Sequence, residues 1–237
     1  MPLFRRKRKY QYLLSQKLQL IEYAFSNYGL QSFADLGGVW RVEGGYTFDT
    51  LEKYKVRKAF IVDTHPTQTV IDMAKDFPQL SLVKGNFGDE TVAQKVGQVD
   101  AVLLFDVLLH QVDPDWDRIL EMYAPRTRTF IIYNQQWIGP GRNVRLLDLG
   151  EEEYFNNAPA DRLQEPYINL YNKLDQKHPD HNKKWKDVHH IWQWGITDMD
   201  LIEKLDSIGF RLEYKCRGGT TVDLPNFRDH MFIFMKK

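Results

Sequence analysis

The stretch that most limits what this chain can fold into is Ser32 to Gly38, Ser-Phe-Ala-Asp-Leu-Gly-Gly. A short apolar run reaches an acid, Asp35, and opens almost at once into Gly37 and Gly38. Glycines behind a strand let the backbone bend sharply and let a ligand approach without meeting a Cβ. About one strand–helix–strand unit later a second apolar run ends the same way, at Ile61-Val62-Asp63. Two neighbouring strands that each finish in a carboxylate predict a nucleoside site at the carboxyl edge of a parallel sheet. A carboxylate there accepts hydrogen bonds from both ribose hydroxyls. The competing reading of either acid is a turn or helix-cap aspartate with no ligand.

Around this edge, apolar runs alternate with helical patterns. Strands are expected over 32–36, 59–63, 80–83, 99–105 and 127–133, with helices over 47–54, 67–76, 90–95 and 116–123. Thr47 is a plausible helix cap. The run Val99 to Phe105 is almost wholly apolar, as a central strand covered on both faces should be, and it ends at Asp106. The rhythm predicts an α/β protein: a doubly wound, mostly parallel sheet with helices on both faces. Upstream, Arg5 to Lys9 is an unbroken basic run, and Tyr10 to Tyr28 reads as an amphipathic helix. From Trp137 to Gly195 the rhythm breaks. That segment is rich in Asn, Lys, His, Trp and Tyr and reads as a lid or insertion, with helical stretches near 150–155 and 165–174. Alternation resumes with a helix over 197–208, capped by Thr197 with Asp200 in capping-box position, then strands over 210–216 and 230–235. The expected organisation is an N-terminal arm and helix (1–30), a ligand-binding half (31–136), the insertion (137–195) and a closing helix with a strand pair (196–237).

Composition narrows the function. The chain has 237 residues, 43% hydrophobic and 27% charged, enough for a globular domain with a real core. A formal net charge of zero argues against nucleic acid as a partner. Cys216 is the single cysteine, so neither an internal disulfide nor a multi-cysteine metal site is expected, and a reducing compartment is. No apolar run reaches membrane-spanning length and the N-terminus lacks a signal-peptide core, so the expected location is the cytoplasm, with no membrane partner. Nothing in the sequence excludes a homo-oligomer.

Several motifs, taken in order, resemble those of class I S-adenosylmethionine-dependent methyltransferases. They are Ala34-Asp35-Leu36-Gly37-Gly38, Ile61-Val62-Asp63, Val83-Lys84-Gly85-Asn86-Phe87, and Asp100 to His110. The stretch Thr197 to Ile202 with Ser207-Ile208-Gly209-Phe210 resembles the late helix before that family's last strand pair. The resemblance spans 32–133 and 195–237. It implies a seven-stranded sheet with an antiparallel last strand and S-adenosylmethionine as cofactor. Asp35, Gly37 and Gly38 would border the methionine moiety and Asp63 would hold the ribose. Asn86 and Phe87 would flank the adenine, and Phe105 and Asp106 would lie near the methyl donor. Two departures stand out: Val39 replaces a further glycine of the usual loop, and the interval from Asp35 to Asp63 is long.

The expected activity is therefore methyl transfer to an oxygen or nitrogen of a small-molecule acceptor. The alternatives are a non-catalytic S-adenosylmethionine-binding relative and a methyltransferase acting on a macromolecule. A hydroxyl acceptor needs help losing its proton, and His110, a few residues past the fourth strand, is the first candidate base. His189 and His190, beside Trp192 and Trp194, are candidates to face the acceptor. The spacing of His178, His181, His189 and His190 matches no tight metal motif, so no metal is expected. Trp185, Trp192, Trp194, Tyr167 and Tyr171 would either line an acceptor pocket or pack the lid onto the sheet.

Overall fold

A computed structural model describes residues 13–220 and 222–237. The basic run Arg5 to Lys9 and the expected helix start at Tyr10 lie outside the described residues. Helix α1 (Ser15–Asn27) buries Lys17, Leu20, Ile21, Ala24 and Phe25. That spacing is one helical stripe, and its apolar members seat the helix on the sheet.

The sheet follows from the apolar runs. Strands β1 (Ser32–Leu36), β2 (Lys58–Asp63), β3 (Leu80–Lys84), β4 (Val99–Phe105) and β5 (Thr127–Trp137) run parallel, joined by helices α2 (Gly45–Lys53), α3 (Gln68–Ala74), α4 (Glu90–Val96) and α5 (Trp116–Tyr123). After the insertion come α8 (Asp198–Ser207), β8 (Phe210–Gly219) and β9 (Phe227–Lys236). The order is β3-β2-β1-β4-β5-β9-β8, with β9 antiparallel to both neighbours. The chain moves outward from β1 to β3, then crosses back to β4. The winding therefore reverses between β1 and β4, and a crevice opens where their carboxyl ends part.

Side chains of each strand alternate between two cores. On one face Phe33, Ile61, Leu103, Ile131 and Ile233 pack with Leu20 and Ile21 of α1 and Phe48 of α2. On the other, Val62, Leu104, Ile132 and Phe232 pack with Ile119 of α5 and Leu201 of α8. A sheet covered on both faces explains why β4 is apolar throughout.

The insertion has its own small core. Strands β6 (Val144–Arg145) and β7 (Trp194–Gly195) pair antiparallel, and α6 (Glu151–Asn157) and α7 (Leu170–Lys173) lie between them. Leu146, Tyr154, Leu170, Ile191 and Trp192 pack there with Leu109 and Phe227. The helix expected over 165–174 shortens to α7. Pro166 has no amide proton to give, and Asn169 takes a left-handed backbone at φ 51°. No helix of the described residues is long and apolar enough to cross a membrane.

Three further expectations change. Helix α2 begins at Gly45 behind a left-handed Gly44, so Thr47 lies inside it and caps nothing. Strand β5 runs four residues beyond Tyr133, because Asn134, Gln135 and Gln136 pair onward with β9 although they are polar. Thr197 does cap α8, accepting from the Asp200 amide at 3.0 Å, but the Asp200 carboxylate instead receives the Asn143 amide at 2.6 Å.

Candidate functional site at the carboxyl edge of the sheet

The first acid lies under the glycine turn. Asp35 is 2% exposed and accepts the Thr47 hydroxyl at 2.8 Å. A Cβ on Gly38 would overlap its carboxylate. Gly37 turns the chain at φ +76° and donates its amide to the Val62 carbonyl at 2.8 Å. A Cβ on Gly37 would fall 2.9 Å from Val107 and 3.5 Å from Phe87. Burial pushes the Asp35 pKa up to about 6, against the Thr47 hydroxyl and with help from the negative Asp63. The side chain thus positions the bend from beneath.

A stability test follows. A buried acid with a raised pKa penalises the fold above that pKa, and the penalty fades as pH falls through about 6 toward the unfolded value of 3.8. Asp35→Asn keeps an acceptor for Thr47 and drops the charge. It should stabilise the protein by about 3 kcal/mol at pH 8, on the scale of about 1.36 kcal/mol per pKa unit, and by far less at pH 4. Urea unfolding at the two pH values measures this. An equal gain at both would show that the Asp35 charge is not the cause.

The second acid is held differently. Asp63 is half-buried at the tip of β2. One oxygen accepts the Val39 amide at 3.2 Å and the other the His65 amide at 2.9 Å. Each oxygen keeps a further lone pair. Val39, the residue in place of a glycine, turns its side chain into the core at 3% exposure while its amide braces Asp63. Beyond it the loop takes left-handed turns at Arg41, Glu43 and Gly44 and exposes Trp40 to 72%. At the tip of β3 the Asn86 side-chain oxygen accepts the Gly88 amide at 2.9 Å. Phe87 is buried against the Gly37 turn, with its carbonyl taking the Tyr123 hydroxyl at 3.1 Å.

Across the crevice, Phe105 ends β4 buried, its ring 5.4 Å edge-on from Tyr46. Asp106 follows with a left-handed backbone at φ 58°. Its carboxylate pairs with the Lys17 ammonium and accepts from the Gln135 amide nitrogen at 2.8 Å. The Lys17 ammonium also lies 4.8 Å from the centre of the Tyr133 ring. Helix α1 is thereby tied to the carboxyl edge of the sheet. The signal was in the sequence: Lys17 interrupts the apolar stripe of α1. Lys17→Met keeps the stem but leaves Asp106 without its cation. The loss should be about 1–2 kcal/mol, less than for a fully buried pair because the Asp106 side chain is 30% exposed and rehydrates. Chemical denaturation checks it.

The insertion closes over the segment after β4. His110 Nδ1 donates to the Ile191 carbonyl at 3.0 Å, and the ring meets Trp192 edge-on. A carbonyl only accepts, so the neutral ring has its free lone pair on Nε2. Burial holds the His110 pKa below its ordinary value. The Gln193 amide donates to the Leu109 carbonyl at 3.1 Å and the Trp194 indole to the Gln111 carbonyl at 2.8 Å. Trp192 is core, and the Tyr171 hydroxyl bonds the Leu147 carbonyl at 3.0 Å, so these aromatics pack the lid. His189 and His190 are exposed, yet partial desolvation lowers both pKa values, and the neighbouring His190 helps to bring His189 to about 4.

A further polar patch was not legible. His230, on β9 opposite Asn134, holds its Nδ1 2.7 Å from the Asp198 carboxylate. Its Nε2, the Asn134 Oδ1 and both polar atoms of the Gln136 side chain are buried with no hydrogen-bond partner among the described residues. Two cavities lie elsewhere: about 340 Å³ among Arg145, Asp148, Asp175 and Lys186, and about 290 Å³ at the amino ends of β1, β4 and β5.

No family model and no curated protein matches the chain. Solved structures do. The N-terminal domain of EvdMO1 with SAH bound is 14% identical at a TM-score of 0.59, covering 95% of this chain and 84% of that one. The Burkholderia thailandensis 1,6-didemethyltoxoflavin-N1-methyltransferase with bound 1,6-didemethyltoxoflavin and S-adenosylhomocysteine is 15% identical at 0.57, covering 93% and 78%. An O-methyltransferase family protein from the same organism is 13% identical at 0.54. It covers 94% of this chain, which spans 55% of that one. At these identities the likeness is one of fold: the chain has the seven-stranded α/β fold of the S-adenosylmethionine-dependent methyltransferases.

Proposed function

We propose that the protein is an S-adenosylmethionine-dependent methyltransferase acting on an oxygen or nitrogen of a small-molecule acceptor. The observation that carries this is Asp63. Its carboxylate is braced by two backbone amides at the tip of β2, beside a glycine bend, at the point where the sheet reverses its winding. The residues present fit the cofactor. Asp63 has lone pairs left for two ribose hydroxyls, and Phe87 offers an apolar wall beside the turn. Asn86 stands at the same tip for the adenine edge. The Gly37–Gly38 bend, held from below by Asp35, keeps backbone close to the methionine moiety.

When bound, the cofactor supplies an activated methyl group on a sulfonium. The chain's work is alignment, exclusion of water and proton removal. The insertion, docked on the segment after β4, covers the acceptor. His110, neutral with Nε2 free, takes the acceptor's proton, and the Ile191 carbonyl keeps its ring turned for that task. His189 and His190 border the acceptor from the lid. The 1,6-didemethyltoxoflavin bound to the similar N1-methyltransferase supports a discrete organic molecule in that place. The first test is a melting-point comparison. S-adenosylhomocysteine should raise Tm and NAD should not, because only a ligand of the native state stabilises it. A shift with NAD alone would overturn the reading. Methyl incorporation from labelled S-adenosylmethionine into a panel of small phenols, hydroxy acids and amines then identifies the acceptor class.

A further inference from the structure

The lid carries a histidine cluster, of which only His190 has a part in the proposed methyl transfer. His178, His181 and His190 come together although they lie up to twelve positions apart in the chain. One nitrogen from each ring lies within 4.8 Å of the other two. The cause is local. Lys177 and Lys184 form an antiparallel bridge, and the His178 amide donates to the Lys183 carbonyl at 2.8 Å. This small hairpin carries His178 and His181 on its loop. A turn at Trp185–Asp187 then brings the chain back, so that His190 lies 4.8 Å from His181, centre to centre.

We propose that His178, His181 and His190 form a binding site for a divalent transition metal of the zinc type. Three observations carry it. The donor set is all imidazole, which suits zinc, copper, nickel or cobalt and not magnesium or calcium. The His181 Nε2 is buried with no hydrogen-bond partner among the described residues, and an orphaned ring nitrogen is costly to bury unless something ligates it. The scaffold is also braced. His178 is buried, the Trp185 ring lies 4.1 Å from it, centre to centre, and the Lys173 ammonium lies 3.6 Å from the centre of the Trp185 ring.

Zinc–nitrogen bonds of about 2.0–2.1 Å put tetrahedral ligand atoms about 3.4 Å apart. Ring rotations of the order of 1 Å close the present spacing. Binding gives up one contact: the Asp180 amide donates to His178 Nδ1 at 3.1 Å, and ligation through either ring nitrogen ends that bond. Three protein ligands leave a fourth position for water or for a donor atom of a bound molecule.

The test uses untagged full-length protein, stripped with a chelator and dialysed, and it is independent of any methyl-transfer assay. Titration with Zn²⁺ at pH 7.5 should show one site per chain, and Co²⁺ should give the intense visible spectrum of a tetrahedral site. His181→Ala and His190→Ala should each weaken binding at least ten-fold, and His189→Ala by less than about three-fold. Metal-free melting points of the variants, compared with wild type, confirm that each is folded. Affinity should fall as pH drops from 7.5 to 5.5, since protons compete for the same nitrogens. No stoichiometric uptake by wild type would overturn the proposal. So would uptake that His181→Ala and His190→Ala leave unchanged.

Discussion

Replacing Asp63 by alanine should weaken S-adenosylmethionine binding about a hundred-fold. The carboxylate is fixed before any ligand arrives, because the Val39 and His65 amides each hold one oxygen. Little ordering cost remains to be met on binding. Two charge-assisted hydrogen bonds to ribose hydroxyls contribute about 1.5 kcal/mol each, and 1.4 kcal/mol is ten-fold in affinity. Asp63→Asn should lose less, since one acceptor oxygen stays in place. Isothermal titration measures both. Because Asp63 faces the crevice and no core contact is removed, the variant should stay folded. Unchanged affinity in Asp63→Ala would remove this residue from the site.

His110→Ala should lower kcat by about 10²- to 10³-fold and leave the affinity for S-adenosylmethionine within about two-fold, as expected of a positioned base. The pH profile carries the sign. Burial lowers the His110 pKa, so the ring is already neutral at pH 7. Wild-type kcat should rise with pH up to a value below 6.5 and stay flat above it. The variant should lose that inflection and recover part of its rate at high pH, where the acceptor ionises unaided. A normal profile in His110→Ala together with an inactive His230→Ala would transfer the proton to the Asp198–His230 pair, whose Nε2 is also free and buried.

What the sequence disclosed of this edge has a physical pattern. Strand tips that stop in an acid are local events, so Asp35, Asp63 and Asp106 were all legible, as was the long apolar β4. The role of Asp35 was not. Its contact with Thr47 crosses twelve positions and depends on where α2 begins, which the left-handed Gly44 decides. Val39 stands where a glycine was expected, yet its side chain points inward and only its amide reaches the site. The polar end of β5 read as a loop because buried Asn134 and Gln136 break the apolar signal. The pairing with β9 that keeps it a strand joins residues nearly a hundred positions apart. The histidines of the lid matched no short motif, since their proximity comes from a hairpin and a turn.

The most direct measurement is a crystal structure with S-adenosylhomocysteine. The account predicts both ribose hydroxyls within hydrogen-bond distance of the Asp63 carboxylate, the adenine beside Phe87 and Asn86, and the sulfur between the Gly37 bend and Asp106, open toward His110. A ligand seated anywhere other than the crevice between the ends of β1 and β4, or one whose ribose leaves Asp63 untouched, would contradict it.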